Sequence, residues 1–148
     1  MKKYLIIIIY LLASCGYQPI YINKNDSKML FQSVQLFGDK IINRKILSAL
    51  EIEEDKENTS LNNLIIESKE IITETSKDSK GRVKTFRTII ETKFTVKNDD
   101  KIVSEKVFNR NFSYNNKDNK FELSEYQEEI KKSLVNEIIK ELIIHINL

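Results

Sequence analysis

Between Arg82 and Val96 the chain alternates clearly. Phe86, Thr88, Ile90, Thr92, Phe94 and Val96 share one parity, and Arg87, Glu91 and Lys93 share the other. Successive side chains of an extended chain point to opposite faces, so the stretch predicts one long strand with an apolar face and a charged face. Such a strand needs partners beside it and a cover over its apolar side.

Partners stand close by in sequence. Leu61–Thr75 is rich in Ile and Thr and follows the strand pattern; a loop containing Gly81 separates it from the alternating segment. Asn98-Asp99-Asp100-Lys101 has the composition of a tight hairpin turn, and Ile102–Tyr114 is the next strand. There Phe108, Arg110, Phe112 and Tyr114 share one parity, which predicts a bulge or burial on both faces. A fourth strand is expected over Leu30–Phe37, stopped by Gly38.

The cover is expected from two helices. Asp39 is placed to cap one over Lys40–Glu51, where Ile42, Ile46 and Leu50 form an apolar stripe. Ser124 and Gln127 resemble a capping box for a second over Glu125–Ile146. Its stripe is Tyr126, Ile130, Leu134, Ile138, Leu142 and Ile146. The acidic run Glu51–Ser60 reads as a solvated connection, since it lacks the glycine and spacing of a calcium loop. The fold class is therefore α+β: a four-stranded sheet with two helices packed on one face, in the order strand-helix-strand-strand-strand-helix. It forms a single domain over residues 30–148.

Composition removes several functions. One cysteine, one histidine and three glycines among 148 residues are too few for a disulfide scaffold, a Cys- or His-based metal site or a Gly-rich phosphate loop. His145 has no sequence neighbour to work with, and adjacent carboxylates such as Glu53-Glu54 point to different faces. No catalytic constellation is visible, so the chain is not expected to be an enzyme or to use a cofactor. A near-neutral charge of +2 lacks the basic excess of a nucleic-acid binder.

The first fifteen residues, MKKYLIIIIYLLASC, stand apart. Lys2 and Lys3 precede an apolar run from Tyr4 to Leu12, and Ala13 and Ser14 are small. This is the layout of a secretory signal peptide, and the run is too short for a membrane-spanning helix. Leu12-Ala13-Ser14-Cys15 resembles the bacterial lipobox, in which cleavage falls between Ser14 and Cys15 and the cysteine carries acyl chains. Cys15 is the only cysteine of the protein. Residues 1–14 are read as the removed signal and 15–29 as a lipidated tether in which Tyr17, Ile20 and Tyr21 are apolar enough to dock. Without Lys2 and Lys3 the basic residues fall from 24 to 22 and equal the acidic ones. Gly16 rather than Asp after the cysteine is similar to the outer-membrane class of bacterial lipoproteins.

Arg82, Lys84, Arg87 and Lys93 cluster along one strand and Arg110 lies on its neighbour. Two readings stand side by side. One is a surface for the phosphates of an anionic lipid head group; the other is an ordinary mixed-charge sheet face.

CGYQPIY, at residues 15–21, resembles the mature start of the lipopolysaccharide-assembly lipoprotein LptE family, in its alphaproteobacterial form. FQSVQLFGDKIINRKILSAL is similar to that family's first strand and helix, GRVKTFRTIIETKFTVKN to its central strand, and FNRNFSYN to the strand after it. The final helix matches in place and length, although here it is built of Ile, Lys and Glu rather than Ala and Arg. The resemblance implies an outer-membrane lipoprotein, anchored through Cys15 and facing the periplasm. It implies that the domain plugs and helps assemble the LptD β-barrel, which inserts lipopolysaccharide into the outer leaflet. It further implies that Arg87, Lys93 and Arg110 meet lipid A phosphates. Two other functions fit the residues: an auxiliary lipoprotein of an ABC-type lipid transporter, and a purely structural envelope lipoprotein.

Overall fold

The computed structural model describes residues 28–146. The expected signal peptide, the expected cleavage site at Ser14 and acylation site at Cys15, and most of the expected tether lie outside the described residues.

Along the chain the elements are β1 (Met29–Phe31), β2 (Ser33–Gly38), α1 (Lys40–Ala49), β3 (Ile52–Glu54), β4 (Asn63–Lys77), β5 (Val83–Asn98), β6 (Lys101–Asn115) and α2 (Lys120–Ile146). The expected architecture is present. A four-stranded sheet runs in the order β2-β4-β5-β6, with β2 parallel to β4 and the other pairs antiparallel. No helix among the described residues is long and apolar enough to cross a membrane.

Parity explains the layering. Pairs such as Leu64↔Val96, Ile66↔Phe94 and Thr92↔Phe108 put even-numbered residues of β4, β5 and β6 on one face. The buried apolar residues of those strands, Leu64, Ile66, Ile90, Phe94, Phe108 and Tyr114, are all even. Ile42, Ile46 and Leu50 of α1 and its C-terminus close over that face, joined by Ile130, Leu134, Val135, Ile138, Ile139 and Leu142 of α2. Each such side chain contributes about 1.5–3 kcal/mol of transfer free energy, which is why the helices stay on the sheet. Odd-numbered residues face outward, and no described element covers them.

Three local features differ from expectation, and the expected bulge in β6 is present. The first strand is split at Gln32, and Met29–Phe31 pairs in parallel with Ile52–Glu54, so part of the acidic connection is a short strand. Glu54 also accepts a hydrogen bond from the Val34 N–H at 2.7 Å. The second helix begins at Lys120, not Glu125. Asn119 Oδ1 accepts from the Phe121 N–H at 2.9 Å, and the proposed capping-box residue Gln127 instead donates to the Tyr114 hydroxyl at 2.9 Å. The bulge in β6 falls near its start. Val96 pairs with Ser104 and Lys97 with Ile102, so Val103 is the extra residue.

Gly38 permits a close approach of β2 to β4. Its φ is +81°, and a Cβ there would lie 1.9 Å from the Ser68 carbonyl oxygen. The chain turns at Gly38 so that the Asp39 N–H donates to that same carbonyl at 2.8 Å. Asp39 then caps α1, its Oδ1 accepting from the N–H groups of Ile41 at 2.8 Å and Ile42 at 3.0 Å.

Candidate functional site

The structure separates the three basic residues suspected of binding phosphate. Arg87 and Lys93 sit on the outward face of β5, and Arg110 sits on the helix face of β6, opposite Ile90. Arg87 Nε donates to Ser113 Oγ at 3.0 Å. Lys93 pairs with Glu105 at 2.9 Å. Six residues of extended chain also hold Arg87 and Lys93 roughly 20 Å apart. Arg110 reaches across to α2, donating to Glu141 and approaching Glu137 at 3.7 Å. Its parity with Phe108 and Tyr114 was the signal for this placement. Of the remaining cations, Arg82 is held by Asp78 in the loop before β5, at 2.8 Å.

The outward face is instead a mosaic. Phe37, Ile65 and Ile102 line a shallow cleft of about 250 Å³ together with Glu67, Lys93, Thr95, Lys97 and Glu105. Further along, Lys69 pairs with Glu91 at 2.8 Å. Charges of both signs interleave with single apolar side chains. Exposed ion pairs of this kind add little stability.

A second polar cluster joins the helices to the sheet and has no local signal in the sequence. Lys131 of α2 is only 9% exposed. Its Nζ lies 2.6 Å from Glu70 Oε2, 3.5 Å from Asp39 Oδ2 and 3.9 Å from Glu128 Oε1. Beside it the buried Asn43 donates to the Phe37 carbonyl at 2.8 Å and accepts from Ser68 Oγ at 2.7 Å. Burial opposes ionisation of Asp39, but the N–H groups of Ile42 and Ile41 and the Lys131 charge outweigh it and hold its carboxyl below the ordinary 3.8. Burial likewise opposes the charge on Lys131, and Glu70, Asp39 and Glu128 outweigh it and hold its pKa above 10.5. The cluster ties α1, α2, β2 and β4 together. Among the described residues no group of three His, Cys, Asp or Glu side chains is placed to hold a metal ion.

These shifts set a pH dependence. The depressed carboxyl of Asp39 adds stability that is present above 3.8 and is lost as pH falls through its folded value. The raised ammonium of Lys131 adds stability that is present below 10.5 and is lost as pH rises through its folded value. The urea midpoint is expected to hold level between about pH 5 and 9 and to drop on both sides. Asp39→Asn should flatten the acid limb; an unchanged acid limb in that variant would contradict the assignment.

The fold defines a class. No family model matches the chain, and no curated protein matches it by sequence. Solved structures do match. Rare lipoprotein B from Shewanella oneidensis superposes with a TM-score of 0.61 at 14% identity, covering 78% of this chain and 93% of that one. A lipoprotein from Caulobacter crescentus gives 0.52 at 9% identity, covering 77% and 87%. A minor lipoprotein from Acinetobacter baumannii gives 0.50 at 7% identity, covering 77% and 89%. The chain thus shares the α+β fold of small bacterial lipoproteins. More particularly, one of the structures that share this fold is a rare lipoprotein B.

Proposed function

We propose that the chain is an outer-membrane lipoprotein, acylated at Cys15, that acts by binding rather than catalysis. It plugs and helps assemble an LptD-like β-barrel through which lipopolysaccharide reaches the outer leaflet. The observation that carries this reading is the fold shared with rare lipoprotein B, found in a chain whose only cysteine ends a lipobox-like segment. The outward sheet face supports it. A barrel lumen is polar, and a plug needs a surface of mixed, locally balanced charge such as the Lys69–Glu91 and Lys93–Glu105 pairs provide.

Direct binding of lipopolysaccharide belongs to the same reading with one change of residues. Arg87 and Lys93 remain on the open face with Lys97, whereas Arg110 is engaged by two glutamates beneath α2. On this reading lipid phosphates meet separate cations of that face, Arg87 at one end and Lys93 with Lys97 at the other.

A mild-detergent pull-down of the tagged, acylated protein, followed by mass spectrometry, tests the partner. A large β-barrel in stoichiometric amount is expected. An ATPase and permease without a barrel would replace this reading by the auxiliary lipoprotein of a lipid transporter.

A further inference from the structure

The sheet ends at β6, and no described strand lies along its outer edge. The Asn116 N–H donates to the Lys84 carbonyl at 2.7 Å, so the even residues from Ser104 to Tyr114 exchange their main-chain bonds with β5. The odd ones, including Val107, Asn109, Asn111, Ser113 and Asn115, therefore turn N–H and C=O outward. Natural sheets guard such an edge with lysine, proline, a bulge or a covering element. Here the guards stand only at the start of β6: Lys101, the Val103 bulge, Glu105 and Lys106. From Val107 to Asn115 the one charged residue is Arg110, and its side chain is drawn to Glu137 and Glu141.

A groove runs beside this unguarded stretch. It has a volume of about 290 Å³ and is bounded by Phe112 of β6 and by Tyr126, Glu129, Ile130, Leu134 and Glu137 of α2. Phe112 remains 47% exposed in it. A strand added to β6 would send every second side chain into this groove, since the groove lies on the helix face of the sheet. Main-chain bonds to an edge with alternate side chains in flanking pockets is an established mode of peptide recognition.

We propose that Val107–Asn115 of β6 receives an extended segment of a partner polypeptide. Its inward side chains are apolar where they meet Phe112, Tyr126, Ile130 and Leu134, and are Lys or Arg where they face Glu129. Glu137 already has Arg110 beside it, whereas Glu129 has no ion-pair partner among the described residues and gives the groove an acidic rim that selects the basic residue. The site is built by β6 and α2 alone and does not depend on the barrel reading.

The test uses the protein purified from membranes in non-ionic detergent and a fluorescent nine-residue peptide. The peptide carries Thr at odd positions and Val, Lys, Val, Lys at even ones; a control carries Glu for Lys. Fluorescence anisotropy should show saturable binding of the basic peptide, at least tenfold tighter than the control. Asn111→Pro removes an outward N–H while keeping the ladder to β5, and should weaken binding at least tenfold with an unchanged circular dichroism spectrum. Should that variant not fold, Glu129→Lys, which reverses the charge that the peptide lysines face in the groove, should weaken it to a similar degree. Absence of saturable binding up to about 1 mM peptide, or binding equal in wild type and a folded variant, would overturn the proposal. So would self-association of the protein that Asn111→Pro abolishes, which would give the edge to a second copy.

Discussion

Gly38→Ala is expected to lower stability by about 4 kcal/mol or more. Two costs combine. A φ of +81° is unfavourable for any residue with a Cβ by roughly 1–2 kcal/mol. The larger cost is steric: the new methyl would sit 1.9 Å from the Ser68 carbonyl oxygen, which belongs to backbone and cannot rotate away. Relief requires β2 to leave β4, and with it go the Asp39 N–H bond to that carbonyl and the neighbouring Asn43–Ser68 contact. Gly81→Ala isolates the first cost, because Gly81 has φ +78° and nothing within 4 Å of its added Cβ. The urea midpoint should fall by about 2 M for Gly38→Ala and by under 1 M for Gly81→Ala. Equal losses would mean that the close approach at Ser68 does not exist.

Lys131→Ala is expected to cost about 3–5 kcal/mol, the usual price of stranding a buried charge. Glu70 lies 2.6 Å from Nζ and its side chain is 19% exposed, so it cannot regain full hydration when the ammonium is removed. Asp39 is less affected, since the N–H groups at the start of α1 still hold it. The double variant Lys131→Met with Glu70→Leu should recover most of the loss, because an apolar pair of similar volume removes both desolvation costs. A single-variant loss below about 1 kcal/mol, measured by urea unfolding at pH 7, would place Lys131 among ordinary surface charges.

The sheet was legible because its signal is local. Period-two alternation in β5, the Asp99-Asp100 turn and the cap at Asp39 each act within a few residues. The start of α2 was misjudged for a related reason. Asn119 and Ser124 are both good capping residues, and Phe121-Glu122-Leu123 between them continues a helix without marking either end. Three-residue strands such as β1 and β3 carry too little pattern to be seen; they form because Met29 and Phe31 pack on the core beside Ile52. The Lys131 cluster was invisible because its partners are distant in sequence. Asp39 and Glu70 lie in other elements, and a lysine next to Ile130 reads as part of the polar helix face. Arg110 shares the parity of Phe108 and Tyr114 and faces the helices with them, whereas Arg87 and Lys93 face outward; parity, not charge, separates the three.

The arrangement of β4, β5, β6 and α2 also dictates an order of assembly. The three long strands are joined by the short 78–82 and 99–100 connections, so they can close on one another with little loss of chain entropy. Their apolar face gains most of its cover from the last helix, which supplies Ile130, Leu134, Val135, Ile138, Ile139 and Leu142. A chain emerging amino end first therefore forms a meander with Ile90, Phe94 and Phe108 bare until its final segment follows. During that interval the sticky surface is largest, and any truncation within α2 makes the interval permanent. Loss of the carboxy-terminal residues would thus be felt as aggregation and degradation long before it was felt as loss of a contact with any partner.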